Sequence, residues 1–156
     1  MGGAVETTSV DLAKRSRELS TAHFEANGFS MGNHRLVVMD VFDYFKYAKK
    51  KGLSYDLIVI DPPSFARNKK RTFSANKDYH KLIAQSLDIL SEHGTIIAST
   101  NAANMTVQQF KKQLRKGLGD VSADFVNLQQ LPADFTVNPN DPTSNYLKVY
   151  TIKVNK

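Results

Sequence analysis

The chain alternates between short runs of aliphatic and β-branched residues and longer stretches in which apolar positions recur every three or four residues. Thr7-Thr8-Ser9-Val10-Asp11 reads as the end of a strand, and residues 11–26 as a helix closed by Asn27-Gly28. On that helix Leu12, Ser16, Leu19 and His23 share one stripe, with Lys14, Arg15, Arg17 and Glu18 largely turned away. Residues 35–40 predict a strand. Residues 41–51 predict a short helix whose Lys49, Lys50 and Lys51 sit near the negative end of the helix dipole. Residues 55–61 form a near-continuous apolar run, the kind buried on both faces of a parallel sheet. Pro62 and Pro63 stop it, since neither can donate a ladder hydrogen bond. A polar loop then leads to a helix over 76–92, a strand over 95–100 and a helix over 106–116 that ends at Gly117-Leu118-Gly119. Residues 123–131 and 146–154, around a turn-rich 138–142, predict an antiparallel hairpin. The whole pattern predicts an α/β layered fold with a mostly parallel sheet and a C-terminal antiparallel hairpin.

Composition narrows the chemistry. At 156 residues the chain is one domain's worth, or part of one. It holds no cysteine, which removes disulfides, thiolate metal sites and any cysteine nucleophile. With no run of roughly 18 apolar residues and no signal-peptide pattern at Met1-Gly2-Gly3-Ala4, a cytoplasmic location is expected and no membrane partner. His23, His34, His80 and His93 show no ligand spacing, so no metal is expected. There is no G-x-S-x-G and no Walker-type phosphate loop, and the one G-x-G closes a helix, which disfavours a dehydrogenase. The net charge of +6 is compatible with a polyanionic partner and equally with a merely soluble basic protein.

Three acids end three predicted strands: Asp11, Asp40 and Asp61. Ligands of open α/β sheets bind at the carboxyl ends of strands, so three acids there are expected to converge on one crevice. Each is also a good helix N-cap, and both readings stand at this point. Asp11 suits ribose hydroxyls, and Asp40 an adenine amine beside an apolar wall of Val41 and Phe42. In Asp61-Pro62-Pro63-Ser64-Phe65 the prolines fix an extended turn that can receive a flipped-out base, with Asp61 reading its polar edge and Phe65 stacking on its face. The alternative is a rigid turn whose Phe65 packs in the core. Arg67, Asn68, Lys69, Lys70 and Arg71 follow at once, either as a phosphate-binding loop or as a solvated charge run. Asp78, Tyr79 and His80 begin a helix near the motif, where pocket lining, capping and packing explain them equally.

At this motif the sequence resembles the class I S-adenosylmethionine-dependent methyltransferases with their Rossmann-like sheet. More narrowly, it is similar to the bacterial 23S ribosomal RNA methyltransferases of the large-subunit I type and the related K-type domain. The likeness is carried by residues 8–11 with Lys14 and Arg15, by 38–45, by 55–65 with Asn68 and Lys69, by 94–96, and by Tyr146-Leu147-Lys148. It implies S-adenosylmethionine as cofactor, ribosomal RNA as partner, Asp11 at the cofactor ribose, Asp40 at its adenine and Asp61 beside the reacting base. A homodimer is left open. The resemblance also implies a first strand, a glycine-rich turn and a first helix; nothing before Val5 matches that strand, and Met1-Gly2-Gly3-Ala4 is expected to be the end of that helix. Residues 1–156 are therefore expected to be the C-terminal portion of a single catalytic domain. The alternative is a truncated, non-catalytic RNA-binding remnant of such an enzyme. In I-type enzymes a cysteine follows the strand matching residues 95–100, and pyrimidine C5 methylation needs that thiolate. Here Asn101 stands there, which favours a ring or exocyclic nitrogen as target and places Asn101 in the substrate pocket. Asp134 and Lys148 match family positions without an assigned role.

Overall fold

The computed structural model describes residues 3–68 and 71–156, and the chain divides into two compact units at Lys51/Gly52. In the first unit, β1 (Thr7–Asp11) and β2 (His34–Val38) pair in parallel with Ser9 opposite Leu36 and Asp11 opposite Val38. A parallel pair needs a crossover, and α1 (Lys14–Ala26) supplies it. The helix ends at Asn27, after which Gly28 takes a positive φ of 69° that a side chain would strain. α1 has no buried residue, and Leu12 and Leu19 of the expected stripe are 53% and 55% exposed. α2 (Val41–Lys50) follows β2 and buries Phe42, Tyr44, Phe45 and Ala48. Within the expected N-terminal helix end, Met1 and Gly2 lie outside the described residues, and Gly3 and Ala4 are not helical.

The second unit opens with β3 (Tyr55–Ile60). Where the sequence predicts one polar loop, there is a short antiparallel hairpin of β4 (Phe65–Arg67) and β5 (Thr72–Ser74). α3 (Ala75–Leu87) ends five residues before the expected Glu92, because Asp88 and Ile89 turn back onto Gln85 and Ser86 and Leu90 already pairs with Tyr55. β6 (Leu90–Thr100) is accordingly longer than the pattern suggests, with His93 at a positive φ of 57° before Gly94. α4 (Val107–Leu118), β7 (Ser122–Gln129) and β8 (Lys148–Asn155) complete the unit.

The strand order is β3-β6-β8-β7. β3 and β6 are parallel, whereas β8 runs antiparallel to both neighbours. The expected hairpin of β7 and β8 is present, but its second strand inserts beside β6 and leaves β7 at the edge. Leu82, Ile83, Ile96, Phe110, Leu114, Ile152 and Val154 form the buried centre. β3 was expected to be covered on both faces. Ile60 is buried, but Leu57 and Val59, which alternate to the other face, are 52% and 63% exposed.

Gly117 lies inside α4 rather than closing it. A Cβ there would come within 2.5 Å of Ile83 Cβ and 2.6 Å of the His80 carbonyl oxygen, so α3 and α4 approach as closely as they do only because that position lacks a side chain. Gly117→Ala should destabilise the protein by about 1–3 kcal/mol through overpacking, outweighing the roughly 1 kcal/mol that alanine returns in helix propensity. Urea denaturation reads the difference, and an unchanged or raised midpoint would contradict the close packing.

Candidate active site

In the first unit two acids stand at the carboxyl ends of paired strands. Asp11 closes β1, where its Oδ1 accepts from the Ala13 N–H at 2.8 Å and its Oδ2 from the Ser16 hydroxyl at 2.8 Å. The Ala13 N–H and then the Ser16 hydroxyl hold this carboxyl below its ordinary range, against a smaller opposing effect of burial. A carboxylate has about four acceptor positions, so Asp11 keeps capacity for further donors. It faces a shallow depression lined also by Ser9, Ser16 and Leu36. Asp40 is not the last residue of its strand, since β2 ends at Val38. It is the N-cap of α2, its Oδ1 accepting from the Phe42 N–H at 3.0 Å. The capping reading is therefore realised for Asp40. The apolar wall needs correcting in part: Phe42 is buried, while Val41 is exposed.

In the second unit β3 ends at Ile60, and Asp61 follows it, exposed, at the head of the Pro62-Pro63 turn. Among the described residues no hydrogen bond occupies its carboxylate. Ser64 leaves the turn and donates its hydroxyl to Asn101 Oδ1 at 2.8 Å, joining the turn after β3 to the turn after the neighbouring strand β6. Phe65 is 62% exposed on β4, which excludes core packing and leaves its face free to stack. Arg67 pairs with Thr72 across the hairpin. The hairpin closes through Asn68 N–H to the Arg71 carbonyl at 3.0 Å and Arg71 N–H to Asn68 Oδ1 at 2.9 Å. Lys69 and Lys70 of the predicted basic loop lie outside the described residues.

Asp78 and His80 serve α3 itself. Asp78 accepts from the Ser74 N–H at 3.0 Å and from Lys81 at 2.8 Å, while His80 Nδ1 meets Gln113 Oε1 of α4 at 3.0 Å. Tyr79 behaves differently. It is fully buried, its ring meets Phe110 edge-on at 4.9 Å, and its single hydroxyl proton is shared between the carbonyls of Ile60 at 2.8 Å and Ser99 at 2.9 Å. Burial pushes this phenol well above its ordinary value, the Ser99 contact partly offsets that, and the Asp61 charge adds to it. Tyr79 is thus a donor at any working pH. Lys148, also buried, donates Nζ to the carbonyls of Ala102 at 2.9 Å and Tyr146 at 2.7 Å, and burial lowers its pKa. The sequence leaves pocket lining, capping and packing open for Tyr79 and carries no signal for its two acceptors, which are backbone atoms of distant strands. Among the described residues no group of three or more His, Asp or Glu is placed to hold a metal ion, and no helix is long and apolar enough to cross a membrane.

Known proteins share the fold traced above. The chain is 43% identical over 98% of its length to Bacillus subtilis YwbD, provisionally named a ribosomal RNA large subunit methyltransferase, and covers 39% of that protein. It is 32% identical over 86% of its length to the ribosomal RNA large subunit methyltransferase K of Neisseria meningitidis, covering 37% of it. The chain thus spans less than half the length of these relatives. Among solved structures, SMU.776, a provisional methyltransferase crystallised with SAH, superposes with a TM-score of 0.95 at 71% identity, over 99% of this chain and 40% of that one. An S-adenosylmethionine-dependent methyltransferase from Agrobacterium tumefaciens shares the fold at a TM-score of 0.72 and 15% identity, over 97% of this chain and 49% of that one. Residues 1–149 match the family model described as S-adenosylmethionine-dependent methyltransferase, and with the class I fold traced above, the chain belongs to that family.

Proposed function

We propose that the polypeptide carrying this sequence methylates a nitrogen of a base in large-subunit (23S) ribosomal RNA, using S-adenosylmethionine. The observation that carries this reading is the exposed Asp61 on a proline-fixed turn, its carboxylate without a hydrogen bond among the described residues, with the turn tied through Ser64 to Asn101 and followed by the exposed ring of Phe65. The names borne by the relatives in Bacillus and Neisseria supply the RNA class. When bound, the cofactor supplies an electrophilic methyl group on a sulfonium. Asp11, ionised and oriented by Ala13 and Ser16, fits a pair of ribose hydroxyls, since its remaining acceptor positions need donors. Asp40, with exposed Val41 beside it, fits an adenine amine. Asp61 accepts from the polar edge of the target base, the Pro62-Pro63 turn fixes its direction, and Phe65 stacks on the base face. Orientation supplies most of the rate in such a direct displacement. Arg67 and Arg71, with Lys69 and Lys70 from the sequence, hold RNA phosphates beside the pocket.

A nitrogen target follows from the side chain at the turn after β6. Asn101 and its neighbours Ser99 and Thr100 cannot add to a pyrimidine as a thiolate does. Nucleoside analysis of RNA treated with the purified enzyme should show a ring- or exocyclic-nitrogen methylation. The appearance of 5-methylcytosine would refute it.

We further propose that residues 1–156 are the C-terminal portion of a catalytic domain, which needs more polypeptide to hold its cofactor. The exposed Leu57 and Val59 on the edge strand β3 and the uncovered α1 support this, and they also support a second reading, a non-catalytic remnant that binds RNA only. Calorimetric titration with S-adenosylmethionine separates the two. The 156 residues alone should bind weakly or not at all and the same chain with its native upstream sequence should bind; failure of the extended chain favours the remnant, and tight binding by the 156 residues removes the need for more polypeptide.

A further inference from the structure

The turn bearing Asp61 and the turn bearing Asn101 leave adjacent parallel strands, and their mutual placement rests on few interactions. The β3–β6 ladder ends with Ile60 opposite Ala98. Immediately beyond it, the buried Tyr79 hydroxyl takes the Ile60 carbonyl on one strand and the Ser99 carbonyl on the other. Those two carbonyls belong to the residue just before Asp61 and the residue two before Asn101. On the far side of Asn101, Lys148 holds the Ala102 carbonyl. Exposed Asn101 and Asp61 are therefore polar side chains on backbone fixed from beneath by buried donors, the arrangement expected when a side chain must present one direction to a ligand.

We propose that Tyr79 is a positioning residue that sets the separation and direction of the Asp61 and Asn101 turns for the methyl transfer. This rests on the function proposed above. Tyr79 touches no substrate, being wholly buried, and acts through the two strand-end carbonyls. Its ring, edge-on to Phe110, supplies packing that a phenylalanine retains, so Tyr79→Phe removes the bridge and leaves the ring contact.

The test uses the protein with its native flanking sequence, tritium-labelled S-adenosylmethionine, and ribosomal RNA from a strain lacking the protein. Tyr79→Phe should lower kcat by about tenfold or more with KM for the cofactor within about twofold, because misplacement of reacting groups costs rate rather than cofactor binding. Hydrogen exchange should quicken by about tenfold at the amides of Ala75 and Ala102, which donate to the Ser64 carbonyl and the Thr100 hydroxyl beside the two turns, and stay unchanged in β7 and β8. Ile152→Val, a core change in β8, controls for lost stability: it should alter neither kcat nor exchange at the two turns. If the unsubstituted protein transfers methyl and Tyr79→Phe transfers it equally well, the positioning role is wrong and the function stands. If the unsubstituted protein labels no ribosomal RNA, the function fails, and the exchange measurement still decides whether Tyr79 holds the turns, unchanged exchange overturning it.

Discussion

A parallel pair of strands must stop somewhere, and where it stops its carbonyls lose their ladder partners while still being close to the core. At the carboxyl ends of β3 and β6 one phenol meets both demands, Tyr79 donating to Ile60 and Ser99. A buried acceptor left without a donor costs about 1–3 kcal/mol, more than a hydrogen bond contributes net when made. Removing the hydroxyl therefore affects two strand ends together. Because the folded-state pKa of Tyr79 lies above its ordinary value of 10.0, this contribution is fully present below that pH and is lost as pH rises through the folded value. Near neutral pH the bridge is therefore constant.

The three acids that the sequence aligns as equivalents are physically different. Asp11 and Asp40 each orient the start of the helix that follows, Asp11 through Ala13 and Ser16 and Asp40 through Phe42. Only Asp40 is a helix cap, since α1 has Ala13 at its N-cap with no side-chain bond there, but each carboxylate is fixed by a backbone N–H and is thereby a preorganised acceptor. For Asp11 the lowered pKa means that its contribution holds above the ordinary carboxylate value and is lost as pH falls through the lower folded value. Asp61 has no capping duty, because prolines and not a helix follow it. It is the acid whose position is explained by no local backbone need.

What could be read from the chain follows the range of the interactions concerned. Strand and helix identity came from local periodicity, and the hairpin of β7 and β8 from its turn residues. The insertion of β8 beside β6 was not legible, because strand order depends on pairings such as Ile96 with Ile152 that no local pattern encodes. The end of α3 was misplaced because Leu90 suits helix and strand alike, and its partner Tyr55 decided. The loop after Phe65 hid a hairpin three residues long on each side, below the length at which alternation is detectable. Asp61 and Phe65 were legible through their prolines. Tyr79 was visible only as one of three residues opening a helix near the motif, and Lys148 as a lysine without a role, since their partners are carbonyl oxygens, which every residue has.

The least supported strand is the one that carries Asp61. β3 is an edge strand, paired only with β6, and of its apolar side chains Leu57 and Val59 lie open to solvent. Full burial of one such side chain is worth about 1.5–3 kcal/mol, so β3 forgoes stabilisation that the inner strands β6 and β8 already have through Ile96, Ile152 and Val154. A segment covering that face would bury Leu57 and Val59 and so stabilise most directly the strand that aims the Asp61 turn. At its carboxyl end β3 is held by the ladder to β6 and the Tyr79 hydroxyl, and the turn beyond it by the Ser64 hydroxyl on Asn101. The uncovered edge and the buried phenol thus bear on one quantity, the freedom of Asp61 to move away from Asn101.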